Sequence, residues 1–568
     1  MNFTPEQLAI FDFVKHGAGN GIIDAVAGAG KTTTIMECAR HIPANTSRVL
    51  FSAFNKSISK EITEKLSQRG LKHVTVKTIH ALGYQMLTSY APGRKLQVED
   101  SKYSKLLKNP EIQTSLKPYY ENIIRMNGLD VEHGAENKSE GYAINRLMFR
   151  INKRLIDINQ KFRSTLCKSN MEDFKNLVSH FGIFNEYELK QKEFNIELQQ
   201  YFDCSMILLK EGNNLSERTL VMDFTDMIYL PYVWKLAATT EYDFLFVDEC
   251  QDLSKAQLAV VLKYGHESSR ILSVGDPFQS IYGFTGADIK SFENVKKFTE
   301  AAQLPLTTCF RCPRKVIEIA KSIRPDISGI KTEDGIVEEI KAEQVVKLAK
   351  QGDLIISRVR APLIILVFNF IDEEIKVQIH EEEVKEVISD IRSIFKQDEL
   401  QSKVANIPNG FEGIKSTVLK REEWVIRKEA ERIMNKTERD LHIENEINYL
   451  KQKLEFLHRK YELWKHSCAS VGDVIEKIRQ YISATHDSVR LSTIHRAKGL
   501  ENDRVFILDY DELPRQHLEQ KDWEKTQEVN LKYVAVTRAK KELFLVSADK
   551  VEILQKKSLF DVLPFDKD

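Results

Sequence analysis

Three short stretches of this 568-residue chain hold residues whose types and spacing suit phosphoryl-transfer chemistry. In IIDAVAGAGKTTTIM (22–36), an apolar segment (Ile22, Ile23, Val26) enters a small-residue loop and a helix-compatible segment leaves it. In the loop AGAGKT, Gly28 and Gly30 sit where backbone N–H groups can wrap a phosphate without Cβ interference, and Ala27 and Ala29 are the other small residues of that cradle. Lys31 would reach the β- and γ-phosphates, the Thr32 hydroxyl would ligate Mg²⁺, and Thr33 continues the cradle into the helix. The general GxxxxGK[ST] pattern has glycine at its first position, where this chain has Ala25. In YDFLFVDECQD (242–252), Asp248 and Glu249 follow a short apolar strand, Phe244 to Val247, at the end where open α/β sheets place ligands. Asp248 is suited to hold Mg²⁺, and Glu249 to orient and deprotonate an attacking water. In GDPFQSIYGFTGAD (275–288), Gln279 sits in a Gly-Asp-Pro turn with Tyr282 and Phe284 five residues on or fewer. A hydrogen-bonding sensor thus lies beside two rings able to stack on bases.

The elements that position these residues belong to a large chain. Its length allows several domains, and 42% hydrophobic with 29% charged residues is an ordinary foldable composition. Lys+Arg and Asp+Glu both number 83, so any electrostatic footprint for a nucleic acid must be local. MNFTPEQLAI lacks the basic-then-apolar order of a secretory signal, and the most apolar run, APLIILVFNFI (361–371), is too short to span a bilayer. No membrane partner is expected. Seven scattered cysteines suit a reducing, intracellular setting, cytoplasmic in a prokaryotic or viral source and nuclear in a eukaryotic one. Cys309 and Cys312 form a CxxC with no second pair or nearby His, which reads as two incidental thiols.

Further segments fall in order around the three stretches: FTPEQ (3–7), FSAFNKS (51–57), VKTIHALG (76–83), DFTDMIYLP (223–231), TTCFRCP (307–313), LSTIHRAKGLE (491–501) and NLKYVAVTRAKKEL (530–543). The ordered set resembles the superfamily 1 helicases of the UvrD/Rep/PcrA type. AFNKS together with NLKYVAVTRAKK makes the core most similar to the F-box DNA helicases, although no F-box segment is apparent ahead of the phosphate loop. The resemblance implies an α/β fold of two RecA-like P-loop motor domains, each with a largely helical insertion. It implies ATP and Mg²⁺ as cofactors, DNA-stimulated ATP hydrolysis, and 3′-to-5′ movement on single-stranded or tailed duplex DNA. By the same resemblance Gln7 reads adenine, Arg311 and Arg538 serve the phosphates from across a cleft, and Glu501 contacts the nucleotide sugar. Phe54, Asn55, Thr78, His80, Tyr282, Phe284, Thr493 and His495 become strand contacts. The chain departs from the family where Phe284 replaces a common tryptophan, Thr285 an arginine, and Phe310 a tyrosine.

The expected division is 1–90 with 221–305 as the first motor domain, 91–220 as its insertion, 306–380 with 484–568 as the second motor domain, and 381–483 as its insertion. Residues 91–220 lack β-rich runs and are expected to be mostly helical. Within them RLMFRINKRLIDINQKFRSTLCK (146–168) holds seven basic residues against Asp157. Two readings stand equally: a phosphate-contacting face, or a solvated helical surface. Ile443, Ile447, Leu450, Leu454, Leu457, Tyr461 and Trp464 alternate spacings of four and three, an apolar seam on one long helix that is expected to pack inside the insertion. Neither insertion shows a nuclease or metal constellation. Besides a helicase or translocase in DNA repair, recombination or replication, two other functions remain open. One is a motor that displaces proteins from DNA and unwinds weakly; the other is a nucleotide-gated subunit of a larger complex. The residues fit RNA as well as DNA.

Overall fold

The computed structural model describes residues 3–44, 47–131, 138–184, 193–283, 290–431, 436–482, 488–516 and 520–548. The chain divides into two compact units. Met1–Phe310, Arg324–Ile330 and Lys521–Asn530 form the first; Arg311–Ile323, Lys331–Gln520 and Leu531–Asp568 form the second. Among the described residues no helix is long and apolar enough to cross a membrane.

The first unit is built on a six-stranded parallel sheet. Its strands are β1 (Gly21–Ala25), β2 (Val49–Ala53), β3 (Val74–Thr78), β4 (Tyr242–Val247), β5 (Gly265–Gly275) and β6 (Ala302–Leu306). They lie in the order β3-β2-β4-β5-β1-β6. Helices cover a parallel sheet on both faces, so the central strands read as apolar runs, and Ile22, Ile23, Leu50, Phe51, Leu245 and Phe246 are all buried. In a parallel sheet every strand ends at the same edge. Here α2 (Lys31–Arg40), α3 (Lys56–Gln68) and α4 (Ile79–Tyr90) start at that edge directly after β1, β2 and β3. The strand order brings together stretches that are distant in sequence. β5, which leads into GDPFQ, lies between β1, which leads into the phosphate loop, and β4, which leads into Asp248-Glu249. With strands about 4.8 Å apart, the three loops are immediate neighbours.

Helices fill the segment between β3 and β4, as expected for 91–220. The longest are α5 (Lys138–Ser164) and α6 (Phe194–Thr219). They share a core with α4 and α7 (Phe224–Val233) that includes Leu87, Ile151, Leu155, Phe174, Cys204, Leu208 and Leu230. α4 and α7 pack so closely that a Cβ on Gly83 would overlap the Met227 carbonyl oxygen. A buried ionic network ties the helices together. Arg163 donates to Asp223 Oδ1 and Asp226 Oδ1, both at 2.7 Å, and Lys102 Nζ lies 2.5 Å from Asp226 Oδ2. The basic stretch 146–168 is therefore not one cationic face. Arg163 and Lys161 are buried, Lys161 against Asp157, and Arg154 lies over the Phe184 and Tyr201 rings. A count of charges along the chain carries no information on which of them a tertiary partner draws inside.

The second unit has its own six-stranded parallel sheet of β7 (Ile336–Lys341), β8 (Leu354–Ser357), β9 (Val377–Gln378), β10 (Val489–Thr493), β11 (Asn502–Ile507) and β12 (Ala539–Ser547), in the order β7-β12-β11-β8-β10-β9. Its apolar core runs without interruption from this sheet into helices that include α8 (Arg360–Asp372), α9 (Gly410–Ala430), α10 (Lys436–Trp464) and α11 (Val471–Tyr481). The seam of α10 packs within the chain: Ile447, Leu450, Leu454, Leu457 and Trp464 are buried in that core, and Ile443 and Tyr461 lie against it. Helix α12 (Asp522–Val536) belongs to the first unit up to Asn530 and to the second from Leu531.

Candidate nucleotide site and nucleic-acid surface

The phosphate loop of the first unit runs from β1 to the N-terminus of α2. Gly28 and Gly30 have φ of 70° and 76°, a left-handed conformation that residues with a Cβ adopt at a cost. It turns the loop sharply enough to aim the N-terminus of α2 into the space beyond the strand ends, an anion-binding arrangement. The loop is braced from behind: Phe310 N donates to the Gly28 carbonyl at 2.9 Å, and Ala27 and Ala29 are fully buried.

Lys31 Nζ lies 3.0 Å from Glu249 Oε1, with both side chains largely buried. Burial alone would lower the lysine's pKa, but Glu249, Asp276 and Asp248 together hold the ammonium above its ordinary value. Glu249 has φ of 49°, an uncommon conformation for a residue other than glycine. Gln251 Nε2 donates to its Oε2 at 2.5 Å. The amide of Gln251 is fixed in turn, because Oε1 accepts Asp276 N at 3.0 Å and would lie 2.5 Å from any Cβ on Gly275. Gln279 is buried and donates from Nε2 to Asp276 Oδ2 at 2.6 Å. Lys31, Asp248, Glu249 and Gln279 are thus gathered at one sheet edge.

Asp248 is 3% exposed. Burial first, then the neighbouring Glu249, pushes its carboxyl up to about 7 against the pull of Lys31. A buried carboxylate, Asp248, beside the partly exposed Glu249 with one nearby lysine makes a donor set short of positive charge, which suits a divalent cation; Thr32 and Asp248 are the residues that would hold Mg²⁺. The raised value has a definite sign for stability. An acid whose folded-state pKa lies above its unfolded value keeps a proton that the unfolded chain releases, so its charge costs stability as pH rises through that window. Asp248→Asn is therefore expected to melt above the parent at about pH 8 without nucleotide or Mg²⁺, the gain shrinking towards about pH 5. Thermal melts across pH check this, and an equal or lower midpoint at pH 8 would remove the assignment.

Gln7, expected to read adenine, lies beside the loop but is buried, and both ends of its amide have protein partners. Oε1 accepts Thr4 N at 3.0 Å in a capping box on α1 (Pro5–His16), and Nε2 donates to Thr34 Oγ1 at 3.0 Å. Base reading would compete with both.

The expected strand contacts of the first unit lie along the same edge. Phe54 follows β2, Tyr282 follows the Gln279 turn, and their rings stack with centroids 6.2 Å apart and planes 17° apart. Asn55 and Thr78 cap α3 and α4, accepting Ile58 N and Ala81 N, so their oxygens already have donors and the helix N-termini supply the anion-attracting N–H groups. His80 is half-buried, and burial lowers its pKa although Asp223 opposes the shift. Its ring meets Phe224 edge-on at 6.2 Å. Phe284 lies outside the described residues.

In the second unit the site residues pair with one another. Arg311 Nε donates to Glu501 Oε2 at 2.6 Å and Arg311 Nη1 to the Thr537 carbonyl at 3.1 Å. Arg538 is 1% exposed and donates to the carbonyls of Val534 and Leu500 and to Thr537 Oγ1. The resemblance assigns Glu501 to a sugar and Arg311 and Arg538 to phosphates; without a nucleotide these groups are held within the second unit. Each guanidinium has strong acceptors within its own unit, and Glu501 is the counter-ion of Arg311. Thr493 is buried at the end of β10, where its Oγ1 accepts Arg496 N at 3.4 Å. Burial, with the cations Arg358, Arg360 and Lys498 nearby, holds His495 well below its ordinary pKa and so neutral.

Several residues at these sites escape a reading of the sequence. Phe224, an exposed ring beside His80, lies inside DFTDMIYLP but has no partner spacing of its own. Arg358 and Arg360 follow the buried strand β8, and that cationic pair after an apolar run was an available signal. Asn530 donates to the carbonyls of Pro277 at 3.2 Å and Ser280 at 2.9 Å, bracing the Gln279 turn. Arg324 has no local signal at all.

Comparison with known proteins bears on these arrangements. Residues 5–300 match the UvrD/REP helicase N-terminal domain, and residues 488–546 match the UvrD-like helicase C-terminal domain. A probable DNA helicase of Mycoplasma pneumoniae is 22% identical over 547 residues, covering 93% of this chain and 80% of the relative. The ATP-dependent DNA helicase Rep of Buchnera aphidicola is 23% identical, covering 66% of this chain and 72% of the relative. F-box DNA helicase protein 1 of Schizosaccharomyces pombe is 24% identical and covers 92% of this chain but 55% of its own length. The phosphate loop, the Asp248-Glu249 strand end and the Gln279 turn all lie within 5–300, a match longer than half of the chain. With this span and the second match beyond it, the chain belongs to the UvrD/REP helicase family.

Proposed function

We propose that this chain, by its family a helicase with ATPase activity, is an ATP-dependent DNA motor that moves along single-stranded DNA in the 3′-to-5′ direction. We further propose that it opens tailed duplexes in DNA repair, recombination or replication. The observation that carries this reading is one sheet edge. The phosphate loop, the Gln279 turn and the Asp248-Glu249 loop stand on adjacent strands β1, β5 and β4, and the stacked Phe54–Tyr282 pair joins the same edge.

In this reading the loop N–H groups and Lys31 bind the phosphates of ATP, Thr32 and Asp248 hold Mg²⁺, and Glu249 takes a proton from the attacking water. Bound Mg²⁺ would offset the charge of the phosphates. Lys31 bound to Glu249 describes the resting arrangement, in which the general base is neutralised and the phosphate-binding cation has an acceptor. Phosphate is a second acceptor for Lys31, so substrate binding frees the base. Gln279 and Tyr282 lie three residues apart in a braced turn, which makes GDPFQSIY the element proposed to couple nucleotide state to the strand. Aromatic stacking tolerates any base, so little sequence preference is expected. A phosphate would compete with Glu501 for Arg311. The segments 91–220 and 381–483 are proposed as the insertions of two RecA-like motor domains.

The test is ATP turnover with and without single-stranded DNA or RNA, followed by strand displacement on duplexes with 3′ or 5′ tails. Turnover is expected to rise at least several-fold with single-stranded DNA, and displacement to require the 3′ tail. Turnover indifferent to DNA would sink the motor reading; preference for RNA or a 5′ tail would correct its substrate or direction.

A further inference from the structure

Arg324 lies in KSIRPDIS (321–328), a stretch without a nucleotide or strand motif, yet it belongs to the first unit and is 1% exposed. Its guanidinium joins two elements of the site. Nη1 donates to Asp276 Oδ1 at 2.5 Å and to the Ala25 carbonyl at 3.2 Å, Nη2 to Asp24 Oδ1 at 2.8 Å, and Nε to Asp326 Oδ1 at 3.0 Å. Asp24 and Ala25 end the strand that enters the phosphate loop, and Asp276 opens the Gln279 turn. The planar fork of arginine reaches acceptors on both at once, which a lysine ammonium does not reproduce. The second oxygen of Asp276 accepts from Gln279 Nε2 at 2.6 Å.

The polarity of that chain of contacts carries the inference. An ionised carboxylate only accepts hydrogen bonds, whereas a carboxamide has one donating and one accepting end. Held against ionised Asp276, Gln279 must turn its NH₂ inward and its carbonyl oxygen away. We propose that Arg324 is a positioning residue for Gln279: by fixing Asp276 as an acceptor-only anion, it sets which end of the glutamine amide is presented to the nucleotide. This rests on the reading of Gln279 as the residue that senses the nucleotide. A presented carbonyl oxygen accepts a hydrogen from the attacking water and leaves the water's lone pair for phosphorus; a presented NH₂ does not.

The charged groups facing Asp276 are Arg324, Lys31 and Asp24. Burial raises its carboxyl above the ordinary value, against the pull of Arg324, then of Lys31 and of the Gln279 hydrogen bond, and Asp24 adds to the push. Without Arg324, Asp276 takes up a proton more readily; Oδ1 still accepts Phe278 N at 3.1 Å, so the proton goes to Oδ2, that oxygen becomes a donor, and the Gln279 amide turns over.

The experiment compares Arg324→Met, Arg324→Lys, Asp276→Asn and Gln279→Ala in the full chain, measuring DNA-stimulated ATP turnover from about pH 6 to about pH 9. Arg324→Met is expected to lose about 10- to 100-fold in kcat at the acid end, with KM for ATP within about threefold, and to recover as pH rises and Asp276 ionises. Arg324→Lys is expected to fall between it and the parent. Asp276→Asn, which presents NH₂ to Gln279 at every pH because its oxygen faces Arg324, is expected to be low without recovery, and it carries the test if Arg324→Met does not fold. Parent-like kcat in Arg324→Met or Asp276→Asn, or a loss in Arg324→Met that pH does not relieve, would overturn the role of Arg324. Parent-like kcat in Gln279→Ala would instead remove the reading beneath it.

Discussion

Glu249→Gln is expected to lower DNA-stimulated ATP turnover by about 10²- to 10⁴-fold, the usual contribution of a general base, while nucleotide still binds. The substitution keeps side-chain volume and removes the ability to take a proton. The neighbours of Glu249 also decide how the new amide lies. Gln251 Nε2 donates to Glu249 Oε2, and Gln251 cannot turn over without losing Asp276 N from its Oε1. The introduced amide must therefore offer its oxygen to Gln251 and its NH₂ towards Lys31. Two donors then face each other where an ion pair of 3.0 Å stood, and the lysine is released from its resting partner. Affinity for ATP should hold or tighten as turnover falls. Equilibrium nucleotide binding beside single-turnover hydrolysis checks both halves. Hydrolysis within a few-fold of the parent would place the base elsewhere, and lost binding would mean that the loop itself had been disturbed.

The residues gathered at this candidate site were legible in the sequence because each stretch is encoded locally. The loop 27–33 carries its own glycines, the carboxylates follow their own strand, and Gln279 sits in its own turn. The seam of α10 was legible for the same reason: helical periodicity over some twenty residues states which face is buried. What the sequence withheld is what depends on distant partners. Arg324 meets Asp24 across 300 residues, and Arg163 meets Asp223 across 60. No periodicity or spacing announces either: Arg324 lies in a stretch without a motif, and Arg163 lies in a run of basic residues. Family resemblance assigned Arg311, Glu501 and Gln7 to the nucleotide, yet it does not say what those groups bind without one. The structure shows each with an acceptor or donor of its own, as hydrogen bonding requires of groups withdrawn from water.

Lys31→Ala is expected to remove turnover by at least about 10²- to 10³-fold, the scale of losing one preorganised electrostatic stabiliser, and unlike Glu249→Gln it should also weaken nucleotide binding. A second effect separates a specific role from general damage. Lys31 is what pulls Asp248 down against burial and Glu249. Its removal leaves two neighbouring carboxylates with less compensation, and breaking a buried pair by deleting one partner is strongly destabilising. The nucleotide-free alanine variant should accordingly melt below the parent at neutral pH. Adding Glu249→Gln to Lys31→Ala takes away the uncompensated charge, so the double variant should regain thermal stability and remain inactive. That non-additive pattern, loss then recovery in melting with no recovery in turnover, is what the Lys31–Glu249 pair predicts. Additive melting losses would mean that the two residues are not coupled in the resting protein. Near-parent turnover in Lys31→Ala would remove the phosphate loop from the mechanism, and Glu249 would then lack a substrate to act on at this sheet edge.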